Sequence, residues 1–328
     1  MTYRQTVEYV INKAIIEKQD VFDFENVPYE KYYEELYNFC SENLKIQCAD
    51  DLLFESVFLY YGYFSKNAKA GIKKGHNVIL VNIGLMNFCF EKFLFNVELN
   101  DFTKGKWKEI TDSFDVTVSR LAFQTNTHFT YYHELAHLFQ IQKKKAEIGS
   151  QERCIDDKYD IIQHKLEINA DTYAAISIAT QIQQYIEKCF AEINQCIVTN
   201  VVTILGTCLL EHIICFSDSL ELYYDEKSHP HPVIRMFNII LNIINHLSSN
   251  PGYIKRRINL DVKILARKIF DFHEELEREE IFTSGFSDFI NSGKLDNNKI
   301  LKYIEVIRDL ETSDGYIDAM DVWNSRIG

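Results

Sequence analysis

His133, Glu134 and His137 are the residues of this chain whose types and spacing speak most directly of chemistry. With Leu135 and Ala136 between them they read H-E-x-x-H, the spacing that builds a mononuclear zinc site for hydrolysis. Residues four apart share one face of an α-helix, so both imidazoles reach one metal ion. Glu134 stands one position on from the first ligand, where its carboxylate reaches a water at the metal without binding the metal. The flanks Phe129, Tyr131, Tyr132, Leu135, Ala136, Leu138 and Phe139 are apolar on nearly every side. That pattern predicts a helix buried in a core over residues 120–142. Asn126 or Thr127 is its expected N-cap, and Lys143, Lys144 and Lys145 put positive charge at its end. Two histidines at this spacing also occur on ordinary half-buried helices, so the reading needs a third ligand.

A catalytic zinc takes three protein ligands and keeps one position open. Downstream, Glu167 and Asp171 are four apart and share a face of a helix expected over 161–182. One carboxylate can bind the metal while the other accepts the free ring N–H of a ligand histidine and fixes its tautomer. Ala170, Ala174 and Ala175 are small enough to let this helix approach its neighbour closely. His164, three residues before Glu167, competes for the third position. Asp156 and Asp157 read as loop acids.

A third segment, His229-Pro230-His231-Pro232 with Arg235, follows an expected turn at Asp225-Glu226-Lys227. Its two X-Pro steps enforce an extended approach, and a helix is expected to begin near Pro232. Val233, Phe237, Leu241 and Ile244 run at helical spacing as its apolar stripe. Peptide hydrolysis develops an oxyanion, and a donor aimed at it lowers the barrier. His229, His231 and Arg235 are candidates for that donor; equally, the segment is a proline-fixed loop in which Arg235 pairs an acid.

The three segments together resemble the gluzincin metallopeptidases, in particular the minigluzincins, which carry H-E-x-x-H, then E-x-x-A-D, then H-P-x-x-x-x-R. Here these are His133-Glu134-x-x-His137, Glu167-x-x-Ala170-Asp171 and His229-Pro230 followed by Arg235. The resemblance implies zinc at His133, His137 and Glu167 rather than His164, with Glu134 as general base. It also implies that Asp171 orients a ligand histidine and that His229 and Arg235 support the active site. Within that group the chain is similar to the Lit-type phage-exclusion peptidases, which cleave elongation factor Tu in infected bacteria. Phage defence is therefore an implied role. Peptidases that cleave phage-type repressors share H-E-x-x-H but lack the H-P-x-x-x-x-R segment.

Net charge is −13, from 35 basic and 48 acidic residues. Phosphate backbones need a basic surface, so nucleic acid is not the expected partner. The basic runs Lys143–Lys145 and Lys255-Arg256-Arg257 read as solvated helix ends or loops. The 8 cysteines form no C-x-x-C and several sit in apolar runs, where a free thiol behaves as a small hydrophobe. Glu8, Lys13 and Glu17 leave no signal-peptide h-region near Met1, so a cytoplasmic location without disulfides is the expectation. Residues 197–216 are apolar over the length of a membrane span. Glu211 among them would be costly in lipid, which favours a buried helix with His212 as a core histidine.

Only 4 Pro and 12 Gly, with 23 Phe and 19 Tyr, predict long regular elements around an aromatic-rich core. Pro28 opens a helical run through Tyr32, Leu36 and Phe39 to Leu44. Phe58 to Phe64 reads as strand or buried helix, and Lys66 to Gly75 as a loop. His76 to Ile83 is the clearest strand. As the edge strand above a zincin site it would pair with an extended substrate, with Asn77 and Asn82 touching it; otherwise it is a core strand. Turn formers at Ser248 to Gly252 mark a boundary. Beyond it, Leu265, Ile269, Phe272 and Leu276, then Ile300, Leu301, Ile304 and Ile307, form two helical packing stripes.

The expected fold is α+β and mainly helical, a zincin-like core with a small sheet. It divides into a helical region 1–75, a catalytic core 76–250 and a helical region 251–328. The expected function is zinc-dependent hydrolysis of a protein or peptide substrate, with an activating partner allowed. The rivals are a regulatory protease that cleaves one repressor or host factor, and a zinc-stabilised binding or sensor protein without turnover.

Overall fold

The computed structural model describes residues 1–49, 53–141, 160–216, 223–224, 227, 229–292 and 296–309. Helices α1 (Tyr3–Asn12) and α2 (Glu30–Ala49) precede strands β1 (Ser56–Tyr61), β2 (Ala68–Lys73) and β3 (His76–Asn82). Helix α3 (Ile83–Cys89) runs through a π-helical turn (Phe90–Leu94) into α4 (Val97–Lys106) and the single turn α5 (Lys108–Thr111). Four long helices follow: α6 (Val118–Ile141), α7 (Ile161–Cys189), α8 (Gln195–Ile214) and α9 (Pro232–Ser248). The short α10 (Pro251–Lys255), then α11 (Val262–Arg278), α12 (Phe286–Asn291) and α13 (Asn297–Asp309) complete the described chain. The fold is mainly helical with one three-stranded sheet.

The sheet differs from expectation in two ways. Residues 68–73, expected in a loop, form β2, and Lys74-Gly75 close a two-residue hairpin into β3 with both residues at positive φ. Ala-Lys-Ala-Gly-Ile-Lys has little strand propensity, so pairing with β3 rather than local preference makes it a strand. The strand order is β1-β3-β2, with β1 parallel and β2 antiparallel to β3. β3 is therefore the central strand and cannot accept a substrate strand. Asn77 and Asn82 are buried, and their amides donate to Ser56 Oγ and Ser65 Oγ. Among the described residues β2 pairs with β3 alone, and its flank lies along α6.

Helix α6 begins within two residues of the expected 120–142, about two turns before the expected N-cap. Thr117 Oγ1 accepts from Arg120 N–H, while Asn126 and Thr127 lie buried mid-helix. Asn126 Nδ2 donates to Cys208 O of α8 at 3.4 Å. The Lys143–Lys145 run, Asp156, Asp157, Cys154, Asp225 and Glu226 fall outside the described residues. Asp160 caps α7 by accepting from Ile162 N–H, and His231 caps α9 by accepting from Val233 N–H, with Pro232 at the first helical position. Ala136 of α6 and Ala170, Ala174 and Ala175 of α7 are fully buried, which lets these two helices pack closely.

Helix α8 is long and apolar enough to cross a membrane by length and composition, but 89% of that window is buried inside the fold. It is the core helix against which α6, α9 and α11 pack. Its polar groups find partners there: Thr130 of α6 meets His212, and Thr207 Oγ1 donates to Ile269 O of α11. The α11 stripe of Leu265, Ile269, Phe272 and Leu276 is buried as expected. Two other stripes are rotated. On α9, Phe237 and Leu241 are exposed while Met236, Ile240 and Ile243 face inward; on α13, Leu301 and Ile304 are exposed while Tyr303 and Ile307 are buried.

Candidate metal centre

Helices α6 and α7 bring three donor groups to one point. His133 Nε2 and His137 Nε2 are 3.1 Å apart. Glu167 Oε2 is 3.3 Å from His133 Nε2, and Glu167 Oε1 is 3.3 Å from His137 Nε2. The two Glu167 contacts use different oxygens; with one ligand atom taken from each residue, the three lie within 4.8 Å of one another, in reach of a single metal ion.

Each donor is oriented from behind. Asp171 Oδ1 is 2.9 Å from His133 Nδ1. His137 Nδ1 donates to Gln140 Oε1 at 2.8 Å, and Gln140 Nε2 donates in turn to Leu166 O at 3.0 Å. His133 Nδ1 meets the Asp171 carboxylate as an ion-pair contact outside hydrogen-bond geometry, and with His137 Nδ1 bonded to Gln140 both Nε2 atoms are left to face the shared point. Gln163 Nε2 donates to Glu167 Oε1 at 3.2 Å, while the buried Glu167 Oε2 has no hydrogen-bond donor. Two imidazole lone pairs and a carboxylate facing one another across 3 Å repel unless a cation or proton lies between them. The donor set fits a metal ion, and buried His and Glu groups able to hold one are what this centre provides.

The electrostatics agree. Burial opposes charge on His133, but the carboxylates of Asp171 and Glu167 outweigh it and push the imidazole up to about 10. Burial raises the Glu167 carboxyl, yet His137 and His133 hold it well below the usual carboxylate range. The same contest on Asp171 is won by Arg235, which keeps it low. The centre is thus a concentration of negative potential that attracts positive charge in any form. Glu134 is buried beside it, and burial raises its carboxyl despite the two histidines. A carboxylate moved toward neutral pH is suited to take and return a proton.

The remaining sequence candidates separate. His164 is buried with both nitrogens engaged elsewhere: Nδ1 with Tyr303 Oη and Nε2 with Lys227 O. It is therefore no competitor for the metal. Arg235 forms a two-pronged pair with Asp171, Nε to Oδ2 at 2.8 Å and Nη2 to Oδ1 at 2.7 Å. Its guanidinium thus acts through Asp171 on His133. His231 is fully buried at the N-cap of α9, its ring against Tyr223 and Phe289, and is not brought to the centre. His229 is brought there: its half-exposed ring has Nε2 3.7 Å from Glu167 Oε1, and burial lowers its pKa. Gln140 and Gln163 are additions the sequence did not single out, because a glutamine one turn from a ligand looks like any helix-surface amide until its partner is known.

A second group, Glu211, His273 and Glu277, also has ligand atoms in mutual reach. Here the carboxylates face opposite nitrogens of one ring: Glu211 is 2.9 Å from Nε2 and Glu277 3.7 Å from Nδ1. Lys92 Nζ already supplies a positive charge 2.7 Å from Glu211 Oε1. Backbone N–H groups of Phe286 and Ser287 donate to Glu277. This is a salt-bridge chain between the π-helical turn, α8, α11 and α12, unlike the bare donor triangle at His133.

Comparison of the chain with protein-family models, with curated proteins and with solved structures finds no match in any of the three, so the site is read from its own geometry.

Proposed function

We propose that this protein is a zinc-dependent endopeptidase of gluzincin type. The observation that carries the reading is the triangle of His133, His137 and Glu167 with Glu134 buried beside it. Three protein donors of this kind leave a fourth position for water or substrate, the arrangement of catalytic rather than structural zinc. When bound, zinc supplies Lewis-acid chemistry: it acidifies a water and polarises a carbonyl oxygen. Glu134 takes the proton from the attacking water and passes it to the leaving amine. His229, half-exposed at the rim, donates to the oxygen that gains negative charge. Asp171, held by Arg235, and Gln140 keep the two histidines in the ligating tautomer. The extended substrate adds to the edge of β2 that no described strand pairs, whose flank lies along α6, so main-chain hydrogen bonds supply affinity with little sequence demand.

The deep burial of Glu134 and Glu167 favours a restricted substrate range, that of a cytoplasmic protease which cleaves one or a few host proteins, as in phage defence. The test maps new protein N-termini in bacterial lysate treated with wild type or Glu134→Gln. We expect one or a few cuts with wild type alone, while both proteins bind zinc equally. Equal cuts with both proteins remove Glu134 as the base; no cuts with zinc bound in both favours a binding role or a missing activator.

A further inference from the structure

The first half of α6 and the second half of α7 border a cavity of about 100 Å³ that is partly open to solvent. Leu121, Thr125 and His128 line it from α6, Ile178, Gln181 and Ile182 from α7, and Leu205 from α8. On each of the first two helices that spacing keeps the side chains on one face. Ile178 stands roughly three turns beyond Glu167 on α7, about 16 Å along the helix, so the cavity is separate from the metal centre. Two polar groups of its wall are left without a partner. The hydroxyls of Thr127, Thr130 and Thr203 bond back to carbonyls of their own helices. Thr125 is only 8% exposed, yet its hydroxyl makes no hydrogen bond among the described residues. His128 Nδ1 is 3.0 Å from Gln181 Oε1, and Gln181 Nε2 donates to Tyr132 Oη at 3.1 Å. An amide oxygen only accepts, so Nδ1 carries the ring proton and Nε2 keeps its lone pair, with no partner among the described residues. The ring lies flat on Phe39 of α2, centroids 3.7 Å apart, which fixes its plane. Burial pushes the imidazole down to about 4, so it is neutral and remains an acceptor at pH well below neutrality.

We propose that this cavity is a binding site for a small neutral aromatic molecule that carries a hydroxyl group, a phenol in its simplest form. Leu121, Ile178, Ile182 and Leu205 give a ring apolar walls. A closed apolar cavity of about 150 Å³ takes benzene, so a somewhat smaller one with an open side suits a single ring. Thr125 and His128 are three apart and therefore neighbours on α6. A hydroxyl both donates and accepts, so one such group gives its proton to His128 Nε2 and takes the proton of the Thr125 hydroxyl. A carboxylate or carbonyl only accepts and leaves Nε2 unfilled. An ammonium donates, but it brings a charge to a cavity where none of the described lining side chains is charged. A water molecule offers the same hydrogen bonds yet fills about 30 Å³, which leaves the apolar walls bare. The proposal rests neither on the metal nor on the peptidase reading.

The test titrates the full-length protein with 4-fluorophenol and with fluorobenzene, its analogue without the hydroxyl, and follows both by fluorine NMR at neutral pH. We expect 4-fluorophenol to bind saturably and about tenfold more tightly than fluorobenzene, the factor that one to two ordinary hydrogen bonds contribute. Thr125→Val keeps the side-chain volume, removes the hydroxyl and lowers that preference to about threefold. His128→Leu removes the acceptor and brings the two probes to equal affinity. If His128→Leu does not fold by circular dichroism, Thr125→Val decides alone. No saturable binding of 4-fluorophenol overturns the proposal, and so does equal affinity of the two probes for wild type or a preference that the variants leave unchanged. A preference that appears only when zinc is added also overturns it, because the phenol then sits at the metal centre.

Discussion

At the scale of residues, the centre is a problem of lone pairs. Asp171 and Gln140 determine that His133 and His137 turn their Nε2 atoms toward each other, and neither does so by chance: Arg235 pins Asp171, and Leu166 O pins Gln140. Outer partners of this kind are worth about tenfold to a hundredfold in metal affinity. Asp171→Asn is expected to weaken metal binding by about that factor, measured by competition with a chromophoric chelator, and Gln140→Leu by about tenfold. A dissociation constant within about twofold of wild type in both variants removes the orienting role. At this scale the sequence was most legible where chemistry fixes spacing. H-E-x-x-H places its side chains whatever surrounds the helix, and Glu167 with Asp171 follows the same rule. The choice between Glu167 and His164 was not legible from spacing, since both sit on adjacent turns. It was decided by Tyr303, 139 residues away from His164 in the chain.

At the scale of elements, the sheet is held against the helices by a close approach at Gly84, in the first turn of α3. A Cβ there would stand 2.0 Å from Phe64 O and 2.7 Å from Ser65 O, both backbone atoms that cannot swing aside. Gly84→Ala is expected to destabilise the fold by about 2–3 kcal/mol, as overpacking does where relief requires a backbone shift. A thermal midpoint unchanged from wild type would show that the chain end of β1 yields freely. Long apolar elements such as α8 and β3 were legible because burial on all sides leaves little ambiguity. Amphipathic faces were read less well: on α9 and α13 apolar residues occupy more than one face, and only the neighbouring helix selects which is buried. Strand β2 was missed because its residues carry little strand preference, and the sequence does not decide between edge and core for β3 because order within a sheet is a property of pairing, not of any one segment.

At the scale of the whole molecule, Glu211 joins the parts that lie far apart in sequence. Burial raises its carboxyl, but His273 and Lys92 outweigh that and hold it at about 2, below its ordinary 4.5. A carboxyl lower in the folded than in the unfolded chain stabilises the fold above the ordinary value, and that contribution is lost as pH falls from 4.5 toward 2. The full contribution is on the order of 3 kcal/mol. Denaturant midpoints of wild type are expected to drop across that window, while those of Glu211→Gln start lower and stay flatter. Parallel curves for the two proteins would remove Glu211 from the acid transition. The side of β2 that no described strand pairs has a consequence of another kind. An unpaired strand edge that admits a peptide also admits the same edge of a second molecule, the first step of fibrous self-association. Lys69 and Lys73 put two positive charges on that six-residue strand, and Gly71 weakens its intrinsic taste for extended pairing. Two identical edges meeting there bring like charges together, so the strand resists pairing with its own copy.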